Sequence, residues 1–309
     1  MSEPVRRVLS RPAYLRDLDA TDVVEVGDVA GLAALVAGRG VVVLSGAGIS
    51  TESGIPDYRG PQGALRRHAP MTYQEFTGSA DGRRRYWARS FVGWRHVNRA
   101  GPNDGHRVVA ALERAGFVDG VVTQNVDGLH AAAGSRAVVD LHGTLDRVVC
   151  LACGDLSDRA GLDDRMRTAN PGFEDVARAA LARPGADGEV NPDGDVALPD
   201  DAVAGFVVVP CLACGADALK PDVVFFGETV PRDRVERCLA MVDAARALVV
   251  LGSSLTVMSG YRFVLRAAER GTPVAIVNSG PTRGDAKASV RLDAPLGEVL
   301  PELERLLAR

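Results

Sequence analysis

The feature that most constrains the fold of this chain is a short apolar run that leads directly into a glycine-rich segment. Residues 41–44, VVVL, are continuously apolar, and the sequence SGAGISTESGIPDYRG follows over residues 45–60. A continuous apolar run of this length predicts a strand that is buried on both faces of a sheet. Such a strand, followed by a glycine loop and a helix, is typical of nucleotide-binding α/β proteins.

Similar apolar runs recur along the chain and predict a parallel sheet. They lie at residues 120–123, 137–141, 247–251 and 274–277. A helical pattern over residues 260–270 separates the last two runs, and another helix is predicted over residues 31–37, after the polar Asp28. Strands that alternate with helices favour a Rossmann-like α/β fold with helices on both faces of the sheet.

Two stretches do not follow this alternation and predict a second, smaller module. Residues 61–103 have a helical pattern rich in aromatic side chains, and residues 149–217 contain paired cysteines around a polar segment typical of a loop. We therefore predict one Rossmann-like domain with two insertions, which together form a zinc-binding and helical module. The domain would comprise residues 28–60, 104–148 and 218–309, and the module residues 61–103 and 149–217.

The charge and hydropathy of the chain limit its partners and its location. The formal net charge is −4 and the pI is about 5.8, so the chain has no excess of positive charge for binding nucleic acid. No apolar run approaches the roughly 18 residues that a membrane-spanning helix needs. The N-terminal segment lacks the apolar core of a secretory signal. We therefore expect a cytoplasmic protein that binds neither nucleic acid nor membrane.

Four of the five cysteines form two C-x-x-C pairs, each within a CLACG pentapeptide: Cys150 with Cys153, and Cys211 with Cys214. Two such turns supply four thiolates and leave no position for water, which predicts one structural Zn²⁺ ion. The alternatives are buried free cysteines, a redox pair, or a zinc ribbon that binds nucleic acid, and the acidic balance disfavours the last. Cys238 lies in a predicted helix and is expected to be a small apolar residue.

The glycine loop suits a dinucleotide but departs from the pattern of dehydrogenases. Gly46, Ala47 and Gly48 allow the backbone to approach a pyrophosphate, and a following helix would offer N–H donors and its dipole. Thr51 stands where the G-x-G-x-x-G pattern has its third glycine. No acidic residue at a strand end follows about 20 positions on to hold a ribose. This departure argues against simple hydride transfer.

Two further polar clusters follow predicted strands, at the carboxyl ends where parallel sheets bind ligands. Gln124, Asn125 and Asp127 suit the recognition of a carboxamide and ribose hydroxyls, with a turn rich in Asn, Asp and Gly as the alternative. His142, in the sequence DLHG, is either a hydrogen-bonded core residue or a general base that works near neutral pH.

Together these motifs resemble the sirtuin family over nearly the whole chain. They occur in the family's order: GAGIS at 46–50, GIPDYRG at 54–60, TQNVDGLH at 123–130, LHG at 141–143, the two cysteine pairs, KPDVVFFGE at 220–228, GSSLTV at 252–257 and IVN at 276–278. Tyr58 within GIPDYRG, together with RYWARSFVGW and SGYRF, is similar to the class II branch. That branch includes the mitochondrial lipoamidase and ADP-ribosyltransferase-type sirtuin.

The resemblance implies an activity, its co-substrate and its partners. The activity would be NAD-dependent protein-lysine deacylation, in which the acyl group passes from lysine to ADP-ribose and nicotinamide is released. NAD⁺ would be the co-substrate, one zinc ion would be structural, and acyl-lysine proteins or peptides would be the substrates of a monomeric enzyme. Protein mono-ADP-ribosylation is an alternative within enzymes, and a non-enzymatic sensor of NAD or ADP-ribose is one outside them.

The resemblance also implies roles for the matching residues. The catalytic residues would be His142 as general base, with Asn125 and Asp127, while His130 would be structural. The residues implied in binding NAD⁺ are Gly46, Ala47, Ser50, Asp57, Tyr58, Arg59, Gln124, Asn125, Asp127, Gly252, Ser253, Ser254, Asn278 and Leu296. Those implied in binding the acyl-lysine are Val224, Phe225 and Gly227.

One pair of residues bears on the acyl chain, which the sequence otherwise leaves open. Tyr86 and Arg89 have the Y-x-x-R spacing that resembles the carboxylate selector of desuccinylating sirtuins. Residues three apart on a helix share a face, so both side chains could point into one channel. The alternative is an amphipathic helix whose Trp87, Phe91 and Trp94 pack inward while its arginines lie in solvent.

Overall fold

The computed structural model describes residues 27–60, 63, 70–183 and 190–308. The strands are β1 Val41–Ser45, β2 Val118–Thr123, β3 Val138–Asp140, β4 Gly143–Cys150, β5 Leu156–Asp158, β6 Leu219–Val223, β7 Ala247–Leu251, β8 Val274–Val277 and β9 Val290–Leu292. The helices are α1 Val29–Ala37, α2 Tyr73–Gly78, α3 Ala80–Arg99, α4 Asp104–Arg114, α5 Leu129–Ala132, α6 Arg159–Ala169, α7 Phe173–Leu181, α8 Asp200–Val203, α9 Arg232–Ala244, α10 Met258–Glu269 and α11 Leu296–Leu307.

A six-stranded parallel sheet confirms the Rossmann-like prediction. Its order is β3-β2-β1-β7-β8-β9, and each neighbouring pair is parallel. The chain leaves β1 towards β2 on one side and later returns to β7 on the other side. The sheet therefore has a topological switch point between β1 and β7, which is where open α/β sheets bind ligands.

The burial of β1 explains why its sequence is continuously apolar. Val41 and Val43 pack in a core with α1, α4 and α11, whereas Val42 and Leu44 pack on the opposite face with α9 and α10. Every residue of β1 is buried. A strand covered by helices on both faces has no solvent-facing side, so it does not alternate between apolar and polar residues.

A second, three-stranded sheet of order β5-β4-β6 adjoins the cysteine pairs: Cys150 ends β4, and Cys211 and Cys214 precede β6. It packs with α3, α6, α7 and α8 around a separate core that includes Trp87, Phe91, Met166 and Phe206. Because β4 extends past residue 148 and pairs with both β5 and β6, the second sheet crosses the predicted boundaries at residues 148 and 218. The division of the chain into domains otherwise remains a prediction.

One local expectation was wrong: the glycine loop is followed by two short 3₁₀ turns, Ala47–Ile49 and Thr51–Ser53, and not by an α-helix. Residues 191–199 of the polar segment between the cysteine pairs belong to no helix or named strand, as expected, and α6 and α7 precede this segment. Parts of both predicted insertions, residues 61–62, 64–69 and 184–189, lie outside the described residues. Within the described ranges, no helix is both long and apolar enough to cross a membrane.

Candidate active site and metal centre

The glycine loop lies directly against the end of β7. The Gly46 N–H donates to the Leu251 carbonyl at 3.0 Å, and the Gly48 N–H donates to the Gly252 carbonyl at 2.9 Å. A Cβ on Gly48 would come within 2.8 Å of that same carbonyl oxygen, so only glycine allows this approach. The loop and the Gly252–Ser253 turn thus meet at the switch point of the sheet.

The polar residues that follow β2 join the same crevice. The Gln124 side-chain amide donates to Ser253 Oγ at 2.8 Å, and the Asn125 side-chain amide donates to the Gly46 carbonyl at 3.1 Å and to Ser50 Oγ at 3.0 Å. The structure therefore brings together residues from three predicted motifs, as parallel strand ends should.

Asp127 is linked to this network through Ser50. The Ser50 hydroxyl donates to Asp127 Oδ2 at 2.7 Å, and the Leu129 N–H donates to Oδ1 at 3.0 Å. Burial raises the pKa of the Asp127 carboxyl, and these two hydrogen bonds oppose that rise. The carboxyl is fixed in place, with its position set by donors from two separate loops.

His142 lies immediately after β3, half-buried, with both ring nitrogens in hydrogen bonds. Nδ1 is 2.9 Å from the Gln124 carbonyl oxygen, and Nε2 is 2.9 Å from Ser259 Oγ. Because a carbonyl only accepts, we assign the proton of the neutral ring to Nδ1, which leaves a lone pair on Nε2. Burial lowers the pKa of His142 to about 4, and the positive charges of Arg234 and Arg262 add to this. The imidazole is therefore neutral at pH 7 and able to accept a proton.

The backbone beside His142 brings it against the predicted acyl-lysine segment. The His142 carbonyl accepts a hydrogen bond from the Val224 N–H at 2.7 Å. Gly143 has a φ of +83°, and a Cβ there would lie 1.9 Å from the Asp222 carbonyl oxygen. Glycine is required because the chain turns in the left-handed region with another strand in contact.

Aromatic side chains surround Phe225 next to this segment. The Phe225 ring lies 5.2 Å from Phe76 and 5.0 Å from Tyr86, and Tyr58 lies 5.8 Å from Phe226, all measured between ring centroids. The Phe225 N–H donates to Glu228 Oε2 at 2.8 Å, which holds the turn at Gly227. The segment that follows β6 is thus a rigid, largely apolar wall.

Tyr86 and Arg89 share a buried face of α3, as their spacing predicts, but Arg89 is already paired. Its Nε lies 2.8 Å from Asp195 Oδ1 and 3.0 Å from the Val196 carbonyl oxygen. Arg89 is 6% exposed and Asp195 is 2% exposed. Trp87, Phe91 and Trp94 pack inward, as the alternative predicts, but Arg89 does not lie in solvent. Its guanidinium is already bound to Asp195 and is not free for a substrate carboxylate.

The other residues implied in cofactor binding border the crevice or its approaches. Asp57 accepts the Gly60 N–H at 2.8 Å and so closes the turn that contains Tyr58 and Arg59. Ser254 Oγ is 3.0 Å from Thr256 Oγ1, and the Asn278 side-chain amide donates to the Gly280 carbonyl at 2.9 Å. Ser254 follows β7 and Asn278 follows β8, so both lie at the carboxyl edge of the sheet.

Leu296 and His130 are the remaining residues to which the resemblance assigns a role. Leu296 begins α11, whose next residue, Gly297, donates its N–H to Glu52 Oε1 at 3.1 Å. His130 is buried, with Nε2 2.8 Å from Ser45 Oγ, and burial lowers its pKa to about 3. This environment agrees with the structural role expected for His130.

The four paired cysteines form a single cluster that fits zinc. Their Sγ atoms all lie within 4.8 Å of one another, with 3.7 Å between Cys150 and Cys214 and 3.8 Å between Cys153 and Cys211. A tetrahedron with Zn–S bonds of about 2.3 Å has edges of about 3.8 Å, so the sulfur spacing matches. Cys238 is a buried residue of α9, apart from this cluster, as expected. Four thiolates and no other ligand define a structural site.

Ser259 is the site residue that sequence reasoning missed. It lies in the first turn of α10, within the SGYRF sequence, and contacts the Nε2 atom of His142. As a sequence, SGYRF indicates only a likeness to one branch of the family. Nothing in its pattern indicates that the serine hydroxyl meets a histidine from another strand end.

The fold and the site define an α/β protein of the Rossmann type, with a polar crevice at its switch point and a four-thiolate metal module. The Sir2 family model matches residues 46–259, and the chain belongs to this family. It is 60% identical over 273 residues to "NAD-dependent protein deacetylase 1" of Streptomyces coelicolor, with 88% of each chain covered. It is 52% identical to the protein of the same name from Mycobacterium avium, covering 87% of this chain and 92% of that one.

Solved structures of the family share the fold. A chain described as "Structural Basis for the Mechanism and Regulation of Sir2 Enzymes" superposes with a TM-score of 0.70 at 30% identity, covering 91% of this chain and 98% of that one. A chain described as "Sir2-p53 peptide-NAD+" gives a TM-score of 0.69 at 27% identity, covering 90% of this chain and 98% of that one. That second protein has thus been described with a peptide and NAD⁺.

Proposed function

We propose that this chain is an NAD-dependent protein-lysine deacylase in which His142 is the general base. The observation that carries the proposal is the placement of a neutral His142 beside both Gln124 and Val224. One contact links the base to the predicted nicotinamide pocket, and the other links it to the predicted acyl-lysine wall. The names of the related proteins support the same activity.

NAD⁺ would lie across the switch point. Gly46, Ala47, Ser253 and Ser254 would approach its phosphates and adenosine ribose, since backbone N–H groups and hydroxyls there surround the crevice. The adenosine end would extend towards Asn278 and Leu296. The nicotinamide end would meet Ser50, Gln124, Asn125 and Asp127, with Asp57, Tyr58 and Arg59 forming the loop that covers it.

The acyl-lysine would enter along the wall formed by Val224, Phe225 and Gly227. A carbonyl oxygen is a poor nucleophile, so the wall must hold it close to C1′ of the ribose while nicotinamide departs. The aromatic side chains around Phe225 exclude water that would otherwise compete at C1′. The peptide backbone would add as a strand beside residues 226–228, which makes selectivity for sequence loose.

His142 would act after nicotinamide has left. Its Nε2 would take the proton of a ribose hydroxyl, whose oxygen then attacks the carbon of the imidate formed at C1′. Addition of water releases free lysine and O-acyl-ADP-ribose. The zinc ion, when bound by the four thiolates, supplies only local folding stability and takes no part in these steps.

The finer assignments belong to the same proposal. The chain resembles the class II branch of the family, through Tyr58 and the RYWARSFVGW and SGYRF sequences. We expect it to act as a monomer on acyl-lysine proteins, with no nucleic acid as a partner.

Mass spectrometry of the products tests the activity. With NAD⁺ and an acetyl-lysine peptide, we expect free nicotinamide, deacetylated peptide and O-acetyl-ADP-ribose in equal amounts. A covalent ADP-ribosyl adduct on protein or peptide would instead indicate mono-ADP-ribosylation. Binding of NAD⁺ without any turnover would indicate a sensor.

The ion pair of Arg89 makes a prediction about acyl chains. Because the guanidinium is already held by Asp195 and the Val196 carbonyl, we expect Arg89→Met to lower activity on acetyl-lysine and glutaryl-lysine peptides by the same factor. The variant should also be less stable, because it leaves Asp195 buried without its partner, at a cost of about 3–5 kcal/mol. The measurement is kcat/KM on both peptides together with the melting temperature.

Arg85→Met is the matched control, because Arg85 is on the same helix but exposed, in an ion pair with Asp200 at 3.2 Å. It should change neither activity nor stability appreciably. If Arg89→Met lowered kcat/KM tenfold more on the glutaryl-lysine peptide than on the acetyl-lysine peptide, Arg89 would be a carboxylate selector after all.

A further inference from the structure

The Ser259 hydroxyl is hydrogen-bonded to the nitrogen of His142 on which the proposed reaction depends. Oγ lies 2.9 Å from Nε2, the atom that would take the ribose proton. Ser259 is half-buried in the first turn of α10, on a different element from every other residue assigned to the site. The inference that follows rests on the proposed function and names a further residue for that reaction.

A hydroxyl is suited to this position because it can both donate and accept. When His142 is neutral, Nδ1–H donates to the Gln124 carbonyl, so Nε2 must accept and the Ser259 O–H must donate. When His142 is protonated, Nε2–H donates and Ser259 Oγ accepts. Ser259 therefore holds the ring in the same orientation before and after proton transfer, which a carbonyl or an amide N–H could not do.

The start of α10 is built to reach the histidine. Gly260 follows Ser259, and a Cβ at that position would lie 2.4 Å from Gln124 Oε1. Because Gly260 has no side chain, the first turn of the helix can pack against the Gln124 side chain. The backbone carbonyl of Gln124 accepts the hydrogen bond from Nδ1 of His142. The hydrogen bonds between Gln124 and Nδ1 and between Ser259 and Nε2 hold opposite edges of the imidazole, so the ring is not free to rotate.

We propose that Ser259 is a positioning residue for the general base. In the free enzyme its hydroxyl keeps Nε2 directed into the crevice, and it gives up that nitrogen when the ribose hydroxyl arrives. The ribose O–H bond then breaks, the Nε2–H bond forms, and the ribose oxygen keeps the electron pair with which it attacks the imidate carbon. As the product leaves, Nε2–H donates to Ser259 Oγ until the proton passes to solvent.

The test separates the step that needs the base from the step that does not. Exchange of labelled nicotinamide into NAD⁺ in the presence of acetyl-lysine peptide requires only the reaction at C1′, whereas deacylation also requires His142. For Ser259→Ala we expect deacylation to fall roughly tenfold, the worth of one hydrogen bond, with nicotinamide exchange undiminished. Ser259→Thr, which keeps the hydroxyl, should restore deacylation to within about twofold of the original chain.

Ser289→Ala is the matched control, because Ser289 is exposed beside β9 and away from the crevice. It should leave both rates unchanged. Unchanged deacylation in Ser259→Ala, or a parallel fall in deacylation and exchange, would overturn the positioning role. If the original chain releases no nicotinamide with the peptide, the proposed function itself fails. The NMR chemical shift of His142 Nε2 in the free protein then tests the hydrogen bond to Ser259 independently of activity. It must change in Ser259→Ala and stay the same in Ser289→Ala.

Discussion

Replacement of His142 with alanine is expected to lower deacylation by about 10²–10⁴-fold, which is the usual contribution of general-base catalysis. The fold and the affinity for NAD⁺ should remain, because the ring is half-buried and bonds only to the Gln124 carbonyl and Ser259. The measurements are kcat on an acetyl-lysine peptide, the melting temperature, and the Kd of NAD⁺ by calorimetry.

The same variant has an internal control. Nicotinamide exchange precedes the action of the base, so His142→Ala should retain peptide-dependent exchange while it loses deacylation. A variant that deacylates at close to the original rate would show that His142 is a core residue, which was the alternative open from the sequence. If the variant lost both nicotinamide exchange and NAD⁺ binding, the role of His142 would be in cofactor binding.

Replacement of Cys211 with alanine is expected to remove zinc, lower the melting temperature by about 10 °C or more, and abolish activity. Three thiolates cannot complete the tetrahedral site, and Cys150 and Cys211 are buried members of the core that packs against the second sheet. Metal analysis and thermal unfolding of the purified variant measure both effects. Treatment of the original chain with a strong chelator should reproduce the loss of stability.

Cys238→Ala is the matched control for this experiment. Cys238 lies on α9, is fully buried and is outside the cluster of four thiols, so the variant should keep one zinc ion per chain. It should lose only the small stability that comes with a minor core truncation. Stoichiometric zinc and an unchanged melting temperature in Cys211→Ala would contradict a structural site.

The main sheet could be predicted because strands buried on both faces have continuously apolar sequences. Strands covered on both faces must be apolar throughout, and β7 and β8 occupy the predicted residues 247–251 and 274–277. The crevice followed from the same reasoning, since the ends of parallel strands meet at one edge. The zinc ligands followed from the spacing within each CLACG pentapeptide.

Other features depend on contacts between parts of the chain that are distant in sequence. The helices α6 and α7 are mostly polar on their exposed surface and are held by a few residues such as Leu162, Met166 and Phe173. The pairing of Arg89 with Asp195 joins α3 to a loop beyond α7, and that of His142 with Ser259 joins the end of β3 to the first turn of α10. Local periodicity carries no signal for such partners.

The fate of the acyl oxygen tests most directly whether the acyl-lysine carbonyl attacks C1′. An acetyl-lysine peptide labelled with heavy oxygen in the acetyl carbonyl would be incubated briefly with the enzyme and NAD⁺ in ordinary water. The proposed reaction places the label on C1′ of the O-acetyl-ADP-ribose, so it should remain with ADP-ribose after the acetyl ester is removed. A label that stays in the acetyl group would show direct hydrolysis of the amide and would contradict the proposed function.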